Sequence, residues 1–205
     1  MVTQYGFFFD ASACTGCKAC QMACKDRNDL EPGLLWRRVY EVTGGGWEKK
    51  DGVWVTSVVA YNVSMACNHC ENPVCGLSCP VKAISKRGDG IVLVDTGACI
   101  GCRYCEWACP YTALRFDART NTVSKCDFCW QAIDAGQPPA CVAACPQRAL
   151  DFGDLAELRE KYGDVRQIVP LPDPTQTDPA LVIKPHRDAA RAAERGAEVA
   201  NWEEV

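Results

Sequence analysis

Residues 99–110 read CIGCRYCEWACP, and this stretch places four cysteines within eleven positions. The same C-x2-C-x2-C-x3-C spacing occurs in CTGCKACQMACK at residues 14–25. Two further stretches have a longer gap before the third cysteine: CNHCENPVCGLSCP from residue 67 and CDFCWQAIDAGQPPACVAACP from residue 126. All 16 cysteines of the 205-residue chain therefore fall into four groups of four.

This spacing is the one that bacterial ferredoxins use to bind iron–sulfur clusters. Three thiolates from one tight turn can reach three irons of a cubane, while the fourth cysteine lies on a following helix and points elsewhere. In two-cluster ferredoxins that fourth cysteine ligates the neighbouring cluster. Sixteen cysteines then correspond to four 4Fe-4S clusters with no thiol left over.

Two other uses of cysteine explain the spacing less well. A disulfide framework suits an oxidised, secreted protein, but the segment MVTQYGFFFDASAC lacks the positively charged start of a secretory signal. A zinc-stabilised interaction module would use two C-x2-C pairs separated by a longer loop. The triplets found here leave one cysteine unexplained in every such pairing.

Composition narrows the possible partners. The net charge is -4 and the Lys and Arg residues are scattered, so we expect no nucleic-acid partner. No apolar run approaches the roughly 18 residues of a transmembrane helix, so we expect no direct membrane insertion.

The chain has no G-x-G-x-x-G after a strand and no P-loop. A fully ligated cluster has no open iron position, so we expect no catalytic residues and a role in electron transfer.

Two internal repeats predict the fold class. GFFFDASACTGC (6–17) and IVLVDTGACIGC (91–102) share an apolar run, an aspartate and C-x2-C, which predicts a strand before each of these groups. CPVKAI, CPYTAL and CPQRAL, which begin at residues 79, 109 and 145, predict a helix stopped by proline and a second strand. Strand, cluster loop, short helix and strand form the half-unit of a ferredoxin. We therefore predict an α+β fold with two ferredoxin-like modules, an insertion and a C-terminal tail.

The segments outside the cysteine groups have less distinctive patterns. Residues 25–66 form an insertion with a glycine turn at 44–46 and one predicted strand over 53–63. Asp154 is a candidate N-cap for a helix that ends at Gly163. Residues 170–179 contain too many prolines for regular structure, and the alanine-rich, charged segment 187–205 is either a solvated tail or wraps around a partner.

Several charged and aromatic side chains lie inside or beside the cysteine groups. We expect them to pack around or shield the clusters, with a specific redox role as the alternative. His69 lies in a group that already has four cysteines, so we expect it to support the loop and not to bind metal. These side chains are Lys18, His69, Arg103, Lys125, Tyr104, Trp107, Phe128 and Trp130.

Together with their flanking residues, the motifs resemble the iron–sulfur subunits of bacterial dimethyl sulfoxide reductases. The resemblance covers residues 4–185 and includes YGFFFDASACTGCKACQMACKD, CNHCENPVC, CIGCRYCEWACPY, KCDFC, PACVAACPQRALDFGDL and VIKP. These subunits belong to a wider group that serves molybdenum or tungsten bis-pterin enzymes, including formate dehydrogenases, nitrate reductases and polysulfide reductases.

The resemblance implies a subunit of an anaerobic respiratory complex. Its partners would be a molybdopterin (bis-MGD) catalytic subunit that reduces dimethyl sulfoxide or related S- or N-oxides, and a membrane anchor subunit with a quinol site. The chain would be peripheral and membrane-associated through these partners. A subunit of a formate dehydrogenase or polysulfide reductase is the alternative within the same class.

The resemblance also implies how the groups exchange ligands: the first pairs with the fourth, and the second with the third. The two modules are then intertwined, the first formed by 1–24 and 120–169 and the second by 67–119, with 25–66 as the insertion and 170–205 as an extended tail. Nitrate-reductase-like relatives carry a tryptophan where this chain has Cys102, so four cubanes are expected. The implied ligand sets are set one (Cys14, Cys17, Cys20, Cys145), set two (Cys24, Cys126, Cys129, Cys141), set three (Cys67, Cys70, Cys75, Cys109) and set four (Cys79, Cys99, Cys102, Cys105).

Overall fold

A three-stranded sheet joins segments that are far apart in the sequence. In the computed structural model, which describes residues 4–205, β1 (Tyr5–Asp10) is the middle strand of this sheet. It pairs antiparallel with β10 (Leu150–Asp154) and parallel with β11 (Leu181–Lys184). Residues 1–3, which belong to the predicted first module and to the N-terminal segment considered as a signal, lie outside the described residues.

The aromatic run of β1 is buried on both faces of the sheet. Phe7 and Phe9 belong to the main core, while Phe8 packs on the other side against Leu155 and Leu158. A strand that is covered on both faces carries a continuous apolar run, which explains the sequence YGFFFD.

The helix predicted after Asp154 is confirmed. It is α6 (Leu155–Tyr162), and the Asp154 carboxylate accepts hydrogen bonds from the backbone N–H groups of Ala156 (2.9 Å) and Glu157 (3.4 Å). The ring of Tyr162 stacks on Phe8 at 3.6 Å between centroids. The helix therefore covers the outer face of the central sheet and ends at Gly163.

Four short helices carry five of the cysteines, and a fifth short helix begins directly after Cys129. Each follows a cysteine loop or precedes the last cysteine of a group, as the ferredoxin half-unit predicts. They are α1 (Ala19–Arg27), α2 (Val74–Leu77), α3 (Tyr104–Ala108), α4 (Trp130–Asp134) and α5 (Ala140–Ala143).

Two hairpins form the sheet structure around the second and third groups. The strands predicted after the three C-P-x-x-A repeats are present, and β7 confirms the strand predicted before Asp95. The hairpins are β6 (Ile84–Lys86) with β7 (Val92–Val94), and β8 (Arg115–Asp117) with β9 (Thr122–Ser124). The predicted end of the second module, at residue 119, falls inside the second hairpin. The predicted end of the N-terminal part of the first module, at residue 24, falls inside α1.

The insertion contains more strands than predicted. β2 (Arg38–Gly44) pairs with β5 (Val59–Met65), and a separate hairpin joins β3 (Trp47–Lys50) to β4 (Val53–Thr56). The prediction of one strand over 53–63 is therefore wrong. The chain breaks at Ser57, where its N–H donates to the carbonyl of Gly46 (2.8 Å) and closes the base of the hairpin.

The prediction of an extended tail is also wrong for its last part. After a 3-10 turn at Pro174–Gln176 and β11, the chain forms α7 (Ala189–Ala192), β12 (Glu198–Val199) and a 3-10 turn at Trp202–Glu204. β12 pairs antiparallel with β2, and the side chains of Ala192 and Val199 are buried. The segment is held by pairing with the backbone edge of β2. It therefore packs in place without an apolar stripe.

The predicted α+β class is confirmed: small sheets and short helices surround the cysteine loops. Across residues 4–205, none of the helices has the length and apolar character needed to cross a bilayer.

Candidate metal centres

The aspartate of the first repeat shapes the entrance to two cysteine loops. Asp10 Oδ1 accepts hydrogen bonds from the backbone N–H groups of Ser12 (2.8 Å) and Ala13 (3.1 Å). Asp95 Oδ1 accepts from those of Gly97 (2.9 Å) and Ala98 (3.3 Å). Each carboxylate thus turns the chain from its strand into the loop, which explains why the aspartate recurs at the same distance before C-x2-C.

The loops themselves wind tightly around the thiols. Gly16 and Gly101 have φ of 71° and 68°, and the residues that follow their next cysteines, Lys18 and Arg103, are also left-handed at 60° and 64°. A Cβ at Gly101 would lie 2.4 Å from the carbonyl oxygen of Asn121. The two loops therefore share one backbone course with a left-handed glycine at its first turn, where a side chain is strained.

Three of the four implied sets surround separate cavities. The thiols of each set lie among mostly apolar side chains, and each cavity contains the fourth cysteine from the other group of the implied pair. One cavity is lined by Cys14, Cys17, Cys20 and Cys145, another by Cys67, Cys70, Cys75 and Cys109, and another by Cys79, Cys99, Cys102 and Cys105.

The thiols of set two also lie close together. Helix α1, which carries Cys24, packs against α5, which carries Cys141. Burial raises the pKa of Cys24 to about 12, and the neighbouring thiols of Cys141 and Cys129 contribute to the rise. The charge of Cys24 in turn contributes to the raised pKa of Cys126, after burial.

Neighbouring sets lie close to one another in a fixed order. After burial, Cys141 of set two contributes to the raised pKa of Cys20 in set one, and Cys67 of set three contributes to that of Cys126 in set two. Cys75 and Cys105, from sets three and four, share a small apolar cluster between α2 and α3. The sets therefore form a line in the order one, two, three, four.

The C-P-x-x-A repeat supplies a hydrogen bond to sulfur. The backbone N–H of Ala83 lies 3.2 Å from Cys79 Sγ, and that of Ala149 lies 3.3 Å from Cys145 Sγ. A hydrogen bond from the Ala113 N–H likewise opposes the rise in the pKa of Cys109 that burial causes. The alanine four residues after the cysteine thus brings its amide to the sulfur, and such bonds tune a bound cluster.

All sixteen cysteines are free in the structure. Burial raises the pKa of Cys70 and Cys75 to about 12 and that of Cys14 and Cys105 to about 11. These thiols stay protonated at neutral pH unless a cation binds, and metal binding must displace their protons.

The described thiols do not converge on a single-ion site. Within residues 4–205, no three His, Cys, Asp or Glu side chains converge closely enough to hold one metal ion. A cubane carries its irons at separate corners, so its four thiolates are spread more widely than the ligands of one zinc ion. The zinc alternative therefore has no geometric support among the described residues.

Comparisons with known proteins agree with this donor chemistry. Residues 58–155 match a family described as a 4Fe-4S dicluster domain, and residues 5–26 match a 4Fe-4S binding domain. The sequence is 49% identical over 205 residues to the B subunit of anaerobic dimethyl sulfoxide reductase from Escherichia coli (strain K12), with 100% of both proteins covered. The protein belongs to the family of anaerobic dimethyl sulfoxide reductase B subunits. It is also 35% identical over 192 residues to the B subunit of polysulfide reductase from Wolinella succinogenes, covering 91% of this protein and 97% of that one.

This member of the B-subunit family is an electron-transfer subunit. Its cavities present thiols, which are the donors that 4Fe-4S clusters take, so the residues fit the group. When bound, a cluster held by four thiolates exchanges single electrons and leaves no iron position for a substrate. The protein is therefore not the catalytic subunit of its complex.

Two of the side chains noted in the sequence hold the cysteine loops of this B subunit to β7. His69 is fully buried, and its Nδ1 accepts a hydrogen bond from the backbone N–H of Val92 (3.0 Å). Buried Lys125 donates from Nζ to the carbonyls of Val92 and Cys126. Burial, followed by the charges of Lys125 and Arg37, lowers the pKa of His69 well below 6.5, so its ring is neutral at pH 7.

The aromatic and arginine side chains noted with them divide between core and surface. Phe128 lies in the main core and Trp130 is partly buried against it. Arg103, Tyr104 and Trp107 are exposed beside set four.

Sequence analysis missed the polar side chains that approach the thiols from outside the cysteine groups. Ser64 Oγ lies 3.3 Å from Cys20 Sγ, and Cys70 Sγ donates to Thr177 Oγ1 at 3.3 Å. Arg37 is 2% exposed and donates to Ser64. The one available signal was the pair Arg37–Arg38 at the start of an apolar strand, where a charged residue is unusual.

Proposed function

We propose that the chain holds four 4Fe-4S clusters, one in each of sets one to four, and that the ligands are the sixteen cysteines as grouped above. The observation that carries this proposal is the agreement between the exchanged groups and the cavity linings. In three cavities the fourth cysteine comes from the paired group, as ligand exchange requires. Set two uses the remaining four cysteines.

We further propose that electrons travel along the line of sets between two partner subunits. The partners are a membrane anchor that oxidises quinol and a molybdopterin (bis-MGD) subunit that reduces dimethyl sulfoxide or a related S- or N-oxide. The exposure of the thiols supports set one as one end of the line, because Cys17 is exposed while every cysteine of set two is buried. Towards the other end, set three has two half-buried cysteines and set four has three.

The surface around set four supports a docking site for the anchor subunit. Leu77 on α2 and Trp107 on α3 are 80% and 75% exposed, and these two helices pack together. Ile100 and Tyr104 are also exposed, shortly before Trp107 in the sequence. Exposed apolar side chains grouped in this way are typical of protein interfaces. We propose that the chain is peripheral and is held at the membrane through this contact.

The degree of identity favours the sulfoxide branch. The chain is 49% identical to the dimethyl sulfoxide reductase relative and 35% identical to the polysulfide reductase relative. A polysulfide or formate partner would use the same line of clusters, so only the composition of the complex separates these assignments.

The test is an analysis of the natively purified, detergent-extracted complex for iron, acid-labile sulfide, molybdenum and tungsten, with its subunits identified. We expect about 16 irons per chain, from four clusters of four irons, together with molybdenum and an apolar anchor subunit. The same iron content without molybdenum or partners would instead indicate a free polyferredoxin. Tungsten would indicate a formate dehydrogenase.

A single substitution tests the ligand sets within that complex. Cys102→Ser should alter the electron paramagnetic resonance signal of one cluster and leave the signals of the other three unchanged. Every other cysteine of the loop is already a ligand, so none is free to replace Cys102. Ile100→Ala, in the same exposed loop, should retain all four signals. Loss of several clusters in Cys102→Ser alone would contradict the grouping.

A further inference from the structure

Arg37 is a buried cation that lies beside the thiols of sets one and two. It precedes β2 in the insertion and is 2% exposed. Its guanidinium carbon lies 4.8 Å from the centre of the Phe7 ring, and its Nη1 donates to Ser64 Oγ at 3.1 Å. Ser64 Oγ in turn lies 3.3 Å from Cys20 Sγ. A short chain of contacts thus connects the guanidinium with a thiol of set one.

No carboxylate balances this charge within the part of the chain that the structure describes. Arg37 forms no ion pair with an Asp or Glu of residues 4–205, and its buried Nη2 has no hydrogen-bond partner there. A guanidinium does not lose its proton in a protein, and burying it without a counter-charge is costly. A negative group must therefore come from another source.

The nearby groups that can become negative are thiols of two neighbouring sets. Burial alone would lower the pKa of Arg37, but negative charge on Cys141, Cys20, Cys126 and Cys24 would raise it, and the net shift is upward. Cys20 belongs to set one and the other three belong to set two. The Phe7 ring beneath the guanidinium also stacks on Phe128 at 4.2 Å between centroids, and Phe128 lies between Cys126 and Cys129 of set two. The guanidinium therefore lies where the two sets adjoin.

We propose that Arg37 is the counter-charge of the clusters in sets one and two and holds their reduction potentials above those they would have without it. The inference rests on the ligand sets proposed above. Adding an electron makes a thiolate-bound cluster more negative, and a nearby buried cation favours that state because little water screens the interaction. Arg37 is a positioning and charge-balancing residue, since it reaches the sulfur of Cys20 through Ser64.

The test measures the midpoint potential of each cluster by redox titration with electron paramagnetic resonance in the purified, intact complex. Arg37→Gln should lower the midpoints of two clusters, each by at least about a tenfold change in the reduction equilibrium, which is about 59 mV for one electron. The other two midpoints should not move. Arg37→Lys keeps the positive charge, so the midpoints of these two clusters should stay close to those of the unmodified complex.

A matched control removes a different arginine charge beside the cysteines. Arg103 follows Cys102 but is exposed and paired with Glu106 at 2.7 Å, so Arg103→Gln should leave the midpoints of sets one and two unchanged. Unchanged midpoints in Arg37→Gln with all four signals present, or equal shifts in all four clusters, would overturn the proposal.

A second variant keeps the test decisive if Arg37→Gln loses a cluster. Ser64→Ala leaves the guanidinium in place but removes the hydroxyl near Cys20, so it should lower the midpoint of set one only. An unchanged midpoint in Ser64→Ala, together with native midpoints in an Arg37→Met variant that retains iron, would overturn the inference. If the proposed ligand sets were wrong, the unmodified complex would already show a different iron content or a number of signals other than four. A failure of the ligand sets is therefore distinguishable from a failure of the inference about Arg37.

Discussion

Gly101 illustrates how closely the backbone of a cysteine loop approaches its neighbours. Its φ of 68° lies in the left-handed region, and an added Cβ would lie 2.4 Å from the carbonyl oxygen of Asn121. A left-handed alanine costs about 1–2 kcal/mol, and a backbone oxygen at this distance cannot move aside cheaply. The loop that carries Cys99 and Cys102 therefore depends on this glycine.

Gly101→Ala should displace that loop and weaken cluster binding in set four. We expect iron content to fall by up to about four irons per chain, measured on the purified complex. Gly88→Ala is the matched control, because no atom lies within 4 Å of its added Cβ and its φ is not in the left-handed region. Native iron content in Gly101→Ala would contradict this account of the loop.

The cysteines and the repeated Asp10 and Asp95 could be recognised from the sequence, since their roles depend on neighbours a few residues away. Arg37 could not be placed in this way. Phe7 and Ser64, which enclose it, are distant in the sequence and meet it only when β1 and β5 have assembled. A residue whose environment is built by distant strands leaves no local pattern.

Among the secondary-structure elements, α6 has the most local determinants. Asp154 accepts hydrogen bonds from two backbone N–H groups of the first turn, and Gly163 follows the last residue. Asp154→Ala should destabilise the protein by about 1 kcal/mol, which lowers the melting temperature by about 2–4 °C for a chain of this size. Calorimetry of the cluster-loaded complex measures this change.

Asp154→Asn is the control for that prediction, because an asparagine oxygen can accept the same bonds. It should melt close to the unmodified protein. Equal losses in both variants would show that the negative charge, and not the cap geometry, stabilises α6.

The strands of the insertion show why such local signals are insufficient elsewhere. Val, Trp and Thr before Ser57 and Val and Tyr after it all favour strands, so the pattern over 53–63 is continuous. The break arises because β4 pairs with β3 while β5 pairs with β2. Strand pairing is decided by partners outside the run, and the pattern within the run does not contain it.

For the molecule as a whole, the C-terminal segment fastens the insertion to the first cysteine loop. The Asn201 side chain accepts from the backbone N–H of Glu41 (2.8 Å) and donates to the carbonyl of Val39 (3.0 Å). Glu204 pairs with Lys18, which follows Cys17. These polar contacts replace the apolar stripe whose absence led to the prediction of a solvated or partner-bound tail.

Asn201→Ala should therefore destabilise the protein by about 1–3 kcal/mol, because it leaves a buried donor and acceptor of β2 without partners. Thermal unfolding of the cluster-loaded complex measures the loss. Glu203→Ala is a suitable control, since this neighbouring side chain is exposed and forms no ion pair or hydrogen bond among residues 4–205. A native melting temperature in Asn201→Ala would show that the segment is not fastened in this way.

The central sheet has a consequence for how the chain is made. β1 is synthesised before both of its neighbours, β10 and β11, which end at residues 154 and 184. At a translation rate of about 5–20 residues per second, β1 waits roughly ten to thirty seconds before both partners leave the ribosome. During that interval its apolar face and the thiols of the first loop are open to aggregation and to oxidants. Newly made chains should therefore need protection in the cell during this interval.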